Sequence, residues 1–108
     1  GCFVVETFVP ALQRLPFGER LVPFEVSDEH IGVDEYDVVD QTLVSHHVRV
    51  RPDGVVRSKG RFRYAWPAEY DLMARIAGLR LRERWADWHR APFTSLSTSH
   101  VSVWELPG

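Results

Sequence analysis

The stretch Arg61–Trp88, "RFRYAWPAEYDLMARIAGLRLRERWADW", contains the clearest helical pattern in this sequence of 108 residues. Proline suits the first helical turn, where a missing N–H costs nothing, and Glu69 and Asp71 place negative charge near the positive end of the helix dipole. Gly78 is the residue type that commonly ends a helix. The pattern therefore predicts a helix over Pro67–Ala77. One apolar stripe is expected to hold this helix against a sheet, formed by Leu72, Met73 and Ile76.

Turn and strand signals surround this helix. "RPDGV" at residues 51–55 predicts a tight hairpin, because Pro52 fixes φ and Gly54 can take the left-handed conformation. Pro23 cannot donate to a strand ladder, so it places the short strand Leu21–Val26 at an edge or a bulge. The order of elements predicts an α+β fold with a mixed, mostly antiparallel sheet and one main helix.

The opening ten residues, "GCFVVETFVP", are almost continuously apolar. Such a run is typical of a strand that is buried on both faces inside a parallel sheet, and Cys2 within it is expected to be buried as well. A natural domain usually begins with a polar, mobile terminus. The apolar start therefore indicates that residues 1–108 are a single domain or a fragment of a longer protein.

Composition narrows the class of protein. With 44% hydrophobic residues, 26% charged residues and a net charge of −2, the chain is of the ordinary globular type. The two signs of charge are mixed along the sequence, so there is no basic footprint of a nucleic-acid binder, and no apolar run approaches the roughly 18 residues of a membrane helix. A single cysteine excludes an intrachain disulfide and fits a reducing compartment. We therefore expect a cytoplasmic protein with no nucleic-acid or membrane partner.

Motifs for nucleotide and metal chemistry are absent from the sequence. The seven glycines stand alone, whereas phosphate cradles need closely spaced glycines before a helix. His46 and His47 are neighbours in a predicted strand and point to opposite faces, so they cannot bind one metal ion. His46 shares the face of Val44 and Val48, which is predicted to be the drier face. It is either a satisfied core histidine or a base.

The helix and its flanks resemble the C-terminal part of class I S-adenosylmethionine-dependent methyltransferases, especially bacterial small-molecule enzymes. The resemblance lies in "RYAWPAEYDLMARIAGLRLRERW" (residues 63–85), in "PFTSLSTSHVSVWELP" (residues 92–107) and in the opening run, which looks like the family's fifth strand. It is strongest at Pro67, Glu69, Leu72, Ala77, Gly78 and Leu79. The resemblance implies that the opening strand, the closing strand and the strand after the helix are neighbours in a Rossmann-like sheet.

The family's cofactor loop has no counterpart in this sequence. That loop is rich in glycine and follows the family's first strand, and an acidic residue follows the second. The resemblance therefore implies the substrate-side half of an enzyme that moves a methyl group from S-adenosylmethionine to a small-molecule acceptor, with no cofactor site and no activity in this chain alone. It also implies which residues face the acceptor: Thr7 and Phe8 at the end of the first strand, and His46, Tyr64 and Trp66 on the inserted strands, with His46 as the candidate base.

An alternative hypothesis belongs to a different class of function. Five aromatic residues line a pocket or form an ordinary core: Tyr64, Trp66, Trp85, Trp88 and Trp104. In the first case the chain is a stand-alone module that holds an apolar ligand or a second copy of itself. An unpaired apolar edge at Cys2–Val9 is a liability that proteins cover or pair, and it predicts a dimer formed through that strand.

Overall fold

The computed structural model describes all residues 1–108 and shows two compact units. The three-stranded unit comprises residues 1–10 and 65–108, and the four-stranded unit comprises residues 11–64. The predicted fold class is confirmed, since the chain is mostly antiparallel β with one α-helix. The strands divide between two sheets, one in each unit.

Seven strands and one α-helix make up these units. The helix, α1 (Pro67–Ile76), has ten residues and is too short and too polar to span a membrane. A short 3₁₀ helix covers Ala11–Arg14. The strands are β1 (Cys2–Phe8), β2 (Leu21–Val26), β3 (His30–Asp37), β4 (Thr42–Arg51), β5 (Gly54–Arg63), β6 (Arg80–Trp85) and β7 (Ser99–Glu105).

The three-stranded sheet has the order β1-β7-β6, and β7 runs antiparallel to both neighbours. This is the neighbour relation that the family resemblance implies for the opening, closing and post-helix strands. Because β7 is central, the five residues from His100 to Trp104 are all buried. The core of this unit is therefore built around its last strand.

The face that α1 turns to the sheet differs from the predicted one. Leu72, Met73 and Ile76 are 59%, 51% and 88% exposed, and Ala74 is the only buried residue of the helix. The predicted apolar stripe is wrong because Asp71, one residue before that stripe, finds hydrogen-bond partners on the sheet. A paired carboxylate can therefore lie on the inner face of the helix.

The environment of β1 also differs from the prediction. Its only partner is β7, to which it is antiparallel, and Phe3 and Val4 are 59% and 46% exposed. Cys2 is exposed as well. The prediction of a parallel strand buried on both faces is wrong, because β1 lies at a sheet edge with one neighbouring strand.

The four-stranded unit is an antiparallel meander in the order β2-β3-β4-β5. β2 is an edge strand with an irregularity between Pro23 and Glu25, which confirms the prediction that Pro23 lies at an edge or a bulge. Gly54 closes the β4–β5 hairpin with φ at +143°, as predicted. The core cluster lies on the face of β4 that carries Leu43, so the prediction that the Val44 face is drier is wrong. Its buried members are Val22, Tyr36, Leu43 and Tyr64.

Candidate functional site

The five predicted site residues divide between the two units. Thr7, Phe8 and Trp66 belong to the three-stranded unit, whereas His46 and Tyr64 belong to the four-stranded unit. The surroundings of these residues therefore belong to two separate units.

Thr7 and Phe8 lie at the end of β1, beside the start of β7. Thr7 is half-buried and pairs in register with His100, and Phe8 pairs with Ser99. Since residues opposite each other in an antiparallel pair point to the same face, Thr7 shares its face with the wholly buried imidazole of His100. This strand end offers a hydroxyl beside a histidine.

His100 is part of a chain of hydrogen bonds in the three-stranded unit. The Ser102 hydroxyl accepts a hydrogen bond from Arg84 Nε at 2.7 Å and lies 2.7 Å from His100 Nδ1, to which it can donate. Arg84 also donates to both carboxylate oxygens of Asp71, at 2.6 and 3.1 Å. The Trp104 indole N–H donates to Asp71 Oδ1 at 3.0 Å. The network joins α1, β6 and β7.

The remaining ring nitrogen of His100, Nε2, is buried and has no hydrogen-bond partner. The ring meets the aromatic side chains of Tyr70 and Phe93 edge-on, at centroid distances of 5.6 and 6.1 Å. Burial lowers the pKa of His100 below its ordinary value of 6.5, and the nearby Arg84 lowers it further. His100 is therefore neutral at pH 7.

Trp66 and Tyr64 differ in their surroundings. Trp66 is the N-cap residue of α1, where its N–H donates to Glu69 Oε1 at 3.0 Å, and its side chain is half-buried. Tyr64 is only 6% exposed and packs edge-on against Tyr36 at a centroid distance of 5.6 Å. Tyr64 is therefore a core residue of the four-stranded unit, and Trp66 has the more accessible side chain of the two.

His46 is supported by a carboxylate. Its Nε2 donates to Glu35 Oε1 at 3.1 Å, and Glu35 Oε2 accepts from Arg20 Nε at 2.9 Å. The hydrogen bond from Arg20, followed by that from His46, lowers the pKa of Glu35 below 4.5, so the carboxylate is ionised at neutral pH. With Nε2 donating, the neutral ring has a lone pair at Nδ1 that can take a proton. The geometry therefore permits His46 to act as a base.

Two pockets open on the four-stranded unit. The larger, of about 800 Å³, lies between residues 12–20 and the ends of strands β3 to β5, and Glu35 and Arg61 are among its lining residues. The smaller, of about 470 Å³, lies along β4 and β5 and contains His46. Both volumes are in the range of small-molecule sites.

A second histidine constellation lies on the opposite face of this sheet, and the sequence reasoning missed it. His30 Nδ1 is 2.5 Å from Glu25 Oε1, His30 Nε2 is 2.9 Å from His47 Nδ1, and His47 Nε2 is 3.2 Å from the Ser45 hydroxyl. With Glu25 ionised and both rings neutral, the hydrogen bonds have one consistent direction: Ser45 donates to His47, His47 to His30, and His30 to Glu25. The four groups form a continuous hydrogen-bonded chain, which we call the relay.

The relay is enclosed on one side by Phe24, whose ring meets the rings of His30 and His47 edge-on. Gly32 makes this possible, because a Cβ at that position would collide with the Phe24 ring. No spacing rule reveals the relay from sequence, since His30 and His47 are brought together only by the register of β3 against β4. The alternation that placed Ser45 and His47 on one face was the available signal.

The helix and the turns of this chain do not resemble the glycine-rich loop with which the methyltransferase family holds S-adenosylmethionine. The chain's one α-helix begins at Pro67, which has no N–H, and the carboxylate of Glu69 occupies the preceding N–H of Trp66. Gly18, Gly54 and Gly78 have positive φ, but no two of them are close in sequence. No glycine-rich loop leads into a helix in these 108 residues.

Comparison with solved structures gives a match over the whole chain. The CcbJ methyltransferase from Streptomyces caelestis is 40% identical, with a TM-score of 0.81, and the match covers 100% of this chain and 44% of that one. The resemblance to the C-terminal part of S-adenosylmethionine-dependent methyltransferases is confirmed. An S-adenosylmethionine-dependent methyltransferase from Clostridium acetobutylicum ATCC 824 matches with a TM-score of 0.66 at 11% identity, and the match covers 100% of this chain and 45% of that one. At so low an identity, this match supports the fold alone.

The methyltransferase match is partial in one respect. This chain spans less than half the length of the two structures that it matches. No protein-family model matches it, and a search of curated proteins found no match.

Proposed function

We propose that residues 1–108 form the substrate-side part of an S-adenosylmethionine-dependent methyltransferase that acts on a small-molecule acceptor. The observation that carries this proposal is the 40% identity to the CcbJ methyltransferase over the entire chain. The cofactor would be held by parts of the methyltransferase fold that residues 1–108 do not supply.

The proposed roles follow the accessibility of the side chains. Methyl displacement needs mainly alignment of the acceptor with the methyl group, and half-buried Thr7 and Trp66, with the partly exposed Phe8, suit contacts of that kind. In the four-stranded unit, Tyr64 would support an acceptor-facing surface from the core of that unit. A base is needed only when the acceptor must lose a proton, and His46, oriented by ionised Glu35, is our candidate.

His47 is the competing candidate for the base. The relay from His47 through His30 to Glu25 would carry a proton away from a group that binds beside Ser45. The two candidates lie on opposite faces of β4, so they predict different acceptor positions. Separate substitutions distinguish them.

The test supplies S-adenosylmethionine with an isotopically labelled methyl group to the 108-residue chain and to any longer translation product that contains it. A panel of small amines, phenols and alcohols serves as acceptors, and mass spectrometry detects the methylated product. We expect His46→Gln to lower the rate by about 10²-fold or more, the usual contribution of a general base. His89→Gln, in an exposed loop outside both constellations, is the matched control.

Three outcomes would contradict parts of the proposal. Methyl transfer to macromolecules only would refute the small-molecule acceptor. A full loss in His47→Gln with His46→Gln unaffected would transfer the role of base to His47. Micromolar affinity of the 108-residue chain for S-adenosylmethionine, measured by calorimetry, would refute the statement that this chain lacks the cofactor site.

A second candidate function is a dimerisation module, which the exposed edge of β1 favours. β1 pairs on one side only, and Phe3 and Val4 are exposed on it. Unpaired apolar edges promote strand pairing between chains. We expect self-association that Val4→Lys abolishes, measured by sedimentation. A monomer at high micromolar concentration would refute this candidate and leave the methyltransferase proposal untouched.

A further inference from the structure

β5 carries four basic residues on one face of the four-stranded sheet. They occupy alternate positions, and side chains at alternate positions of a strand share a face at a spacing of about 6.6 Å. All four are exposed, and none of their side chains makes an ion pair or hydrogen bond. They are Arg57, Lys59, Arg61 and Arg63.

The register of β4 against β5 places two of these cations beside His46. Lys59 is directly opposite His46, and Arg57 is opposite Val48, the next residue of β4 on the same face. These side chains meet at the pocket of about 470 Å³. The full lining is His46, His47, Val48, Arg57, Ser58 and Lys59.

The charges on this face are not balanced from within the chain. Two carboxylates share the face through β3, but Glu35 is engaged by Arg20 and His46, and Asp37 accepts hydrogen bonds from the backbone N–H groups of residues 39 and 40. Like charges in neighbouring positions repel one another. Neither carboxylate forms an ion pair with the four cations of β5, so an anion bound between those cations would reduce their mutual repulsion.

We infer that the pocket on this face binds a compact oxyanion group, a phosphate or a carboxylate, of a small molecule. Arg57 and Lys59 are its charged ligands, since guanidinium and ammonium groups form strong charge-assisted hydrogen bonds to such oxygens. His46 lines the same pocket. Identification of the small molecule as the methyl acceptor rests on the proposed function, whereas the anion site itself does not.

The surroundings of the row favour a small molecule over a nucleic-acid strand. Proteins that bind single strands combine a basic groove with aromatic rings on which the bases stack. The strand aromatics of this unit lie on the opposite face: Phe24 covers Gly32, and Tyr36 and Phe62 flank Leu43 in register. Apart from the His46 ring, the basic face offers only cations, carboxylates and aliphatic side chains, and so lacks the row of aromatic rings on which successive bases stack.

The test measures binding of three small probes to the 108-residue chain by NMR chemical-shift titration. Phenyl phosphate and benzoate present the two oxyanions, and benzyl alcohol is the uncharged reference. The site variant is Arg57→Gln/Lys59→Gln. The matched control, Arg49→Gln/Arg51→Gln, removes the same charge from β4 on the opposite face of the sheet, and both variants are checked for native circular dichroism.

We expect the site variant to weaken binding of the preferred oxyanion by at least about tenfold, the effect of losing one or more hydrogen bonds from a charged group. The control variant should stay within about twofold at physiological salt, because screening weakens distant charges. The ratio of the two affinities shows whether phosphate or carboxylate is the natural group. Benzyl alcohol should not bind.

Equal weakening in both variants would overturn the inference, because it would show general charge attraction without a site. Binding of neither oxyanion would overturn it too. An oligothymidylate that binds far more tightly than phenyl phosphate, and loses that affinity in the site variant, would establish a nucleic-acid surface instead. None of these measurements involves methyl transfer, so their failure and the failure of the proposed function are separate results.

Discussion

Replacement of Asp71 by alanine tests the polar network that ties α1 to the three-stranded sheet. The side chains of Arg84 and Asp71 are only 14% and 31% exposed, and their closest atoms are 2.6 Å apart. The alanine variant leaves the Arg84 guanidinium with Ser102 as its main partner and the Trp104 indole N–H without an acceptor. Both groups lose partners that water replaces incompletely.

The size of the effect follows from these contacts. A hydrogen bond to a charged group contributes about 1.5–3 kcal/mol, and Asp71 accepts two from Arg84. The bond of Arg84 to Ser102 persists, and water reaches the partly exposed Asp71 position, so the two contributions do not add in full. We expect the free energy of unfolding to fall by about 2–3 kcal/mol, or the melting temperature by about 8–20 °C.

Urea unfolding followed by tryptophan fluorescence provides the assay. It reports on the correct unit, because all four tryptophans, Trp66, Trp85, Trp88 and Trp104, lie in the three-stranded unit. Arg80→Gln is the control, since the Arg80 side chain is 63% exposed in its pair with Glu105 and should contribute less than about 1 kcal/mol. Asp71→Asn keeps an acceptor for the indole and should be intermediate. An alanine variant no less stable than the control would refute the reasoning.

Three further predictions concern pH and packing. Arg20→Gln should raise the pKa of Glu35 towards its ordinary 4.5, as measured by NMR titration of the Glu35 carboxyl carbon. Because this pKa is depressed in the folded state, the ionised carboxylate stabilises the fold above pH 4.5, and this contribution is lost as the pH falls through the folded-state pKa. The pKa of His100 is also depressed in the folded state, so the unfolded state binds more protons and the free energy of unfolding should fall below pH 6.5. In His100→Phe, urea titrations should show a weaker dependence of the free energy of unfolding on pH. Gly32→Ala should cost about 1 kcal/mol or more by displacing the ring of Phe24, and a double-mutant cycle should show this cost vanishing in a Phe24→Ala background.

Local signals predicted the elements well, because they act within a few residues of the chain. Pro67 and Gly78 bound the helix within one residue of its observed limits, and Gly54 closes the predicted hairpin. Pro23 lies at an irregularity of an edge strand, as its missing N–H requires. Each of these features depends on φ preferences and hydrogen-bond capacity of the residue itself.

Burial was predicted less well, since it depends on residues far away in sequence. Leu72 and Ile76 have the spacing of a buried stripe, yet the inner face of α1 carries Asp71, whose partners are 13 and 33 residues further along the chain. The apolar run at β1 looked like a central strand, yet its position at the sheet edge leaves Phe3 exposed. Hydropathy alone cannot supply either fact.

The candidate sites show the same division. The sequence by itself determined the elements and the resemblance to methyltransferases, because turn residues, caps and motifs act locally. Only the tertiary structure decided that Glu35 holds His46, that His30 meets His47, and that Lys59 lies opposite His46. The physical reason is strand register: a shift of one residue would exchange the two faces of β4 and separate every one of these pairs.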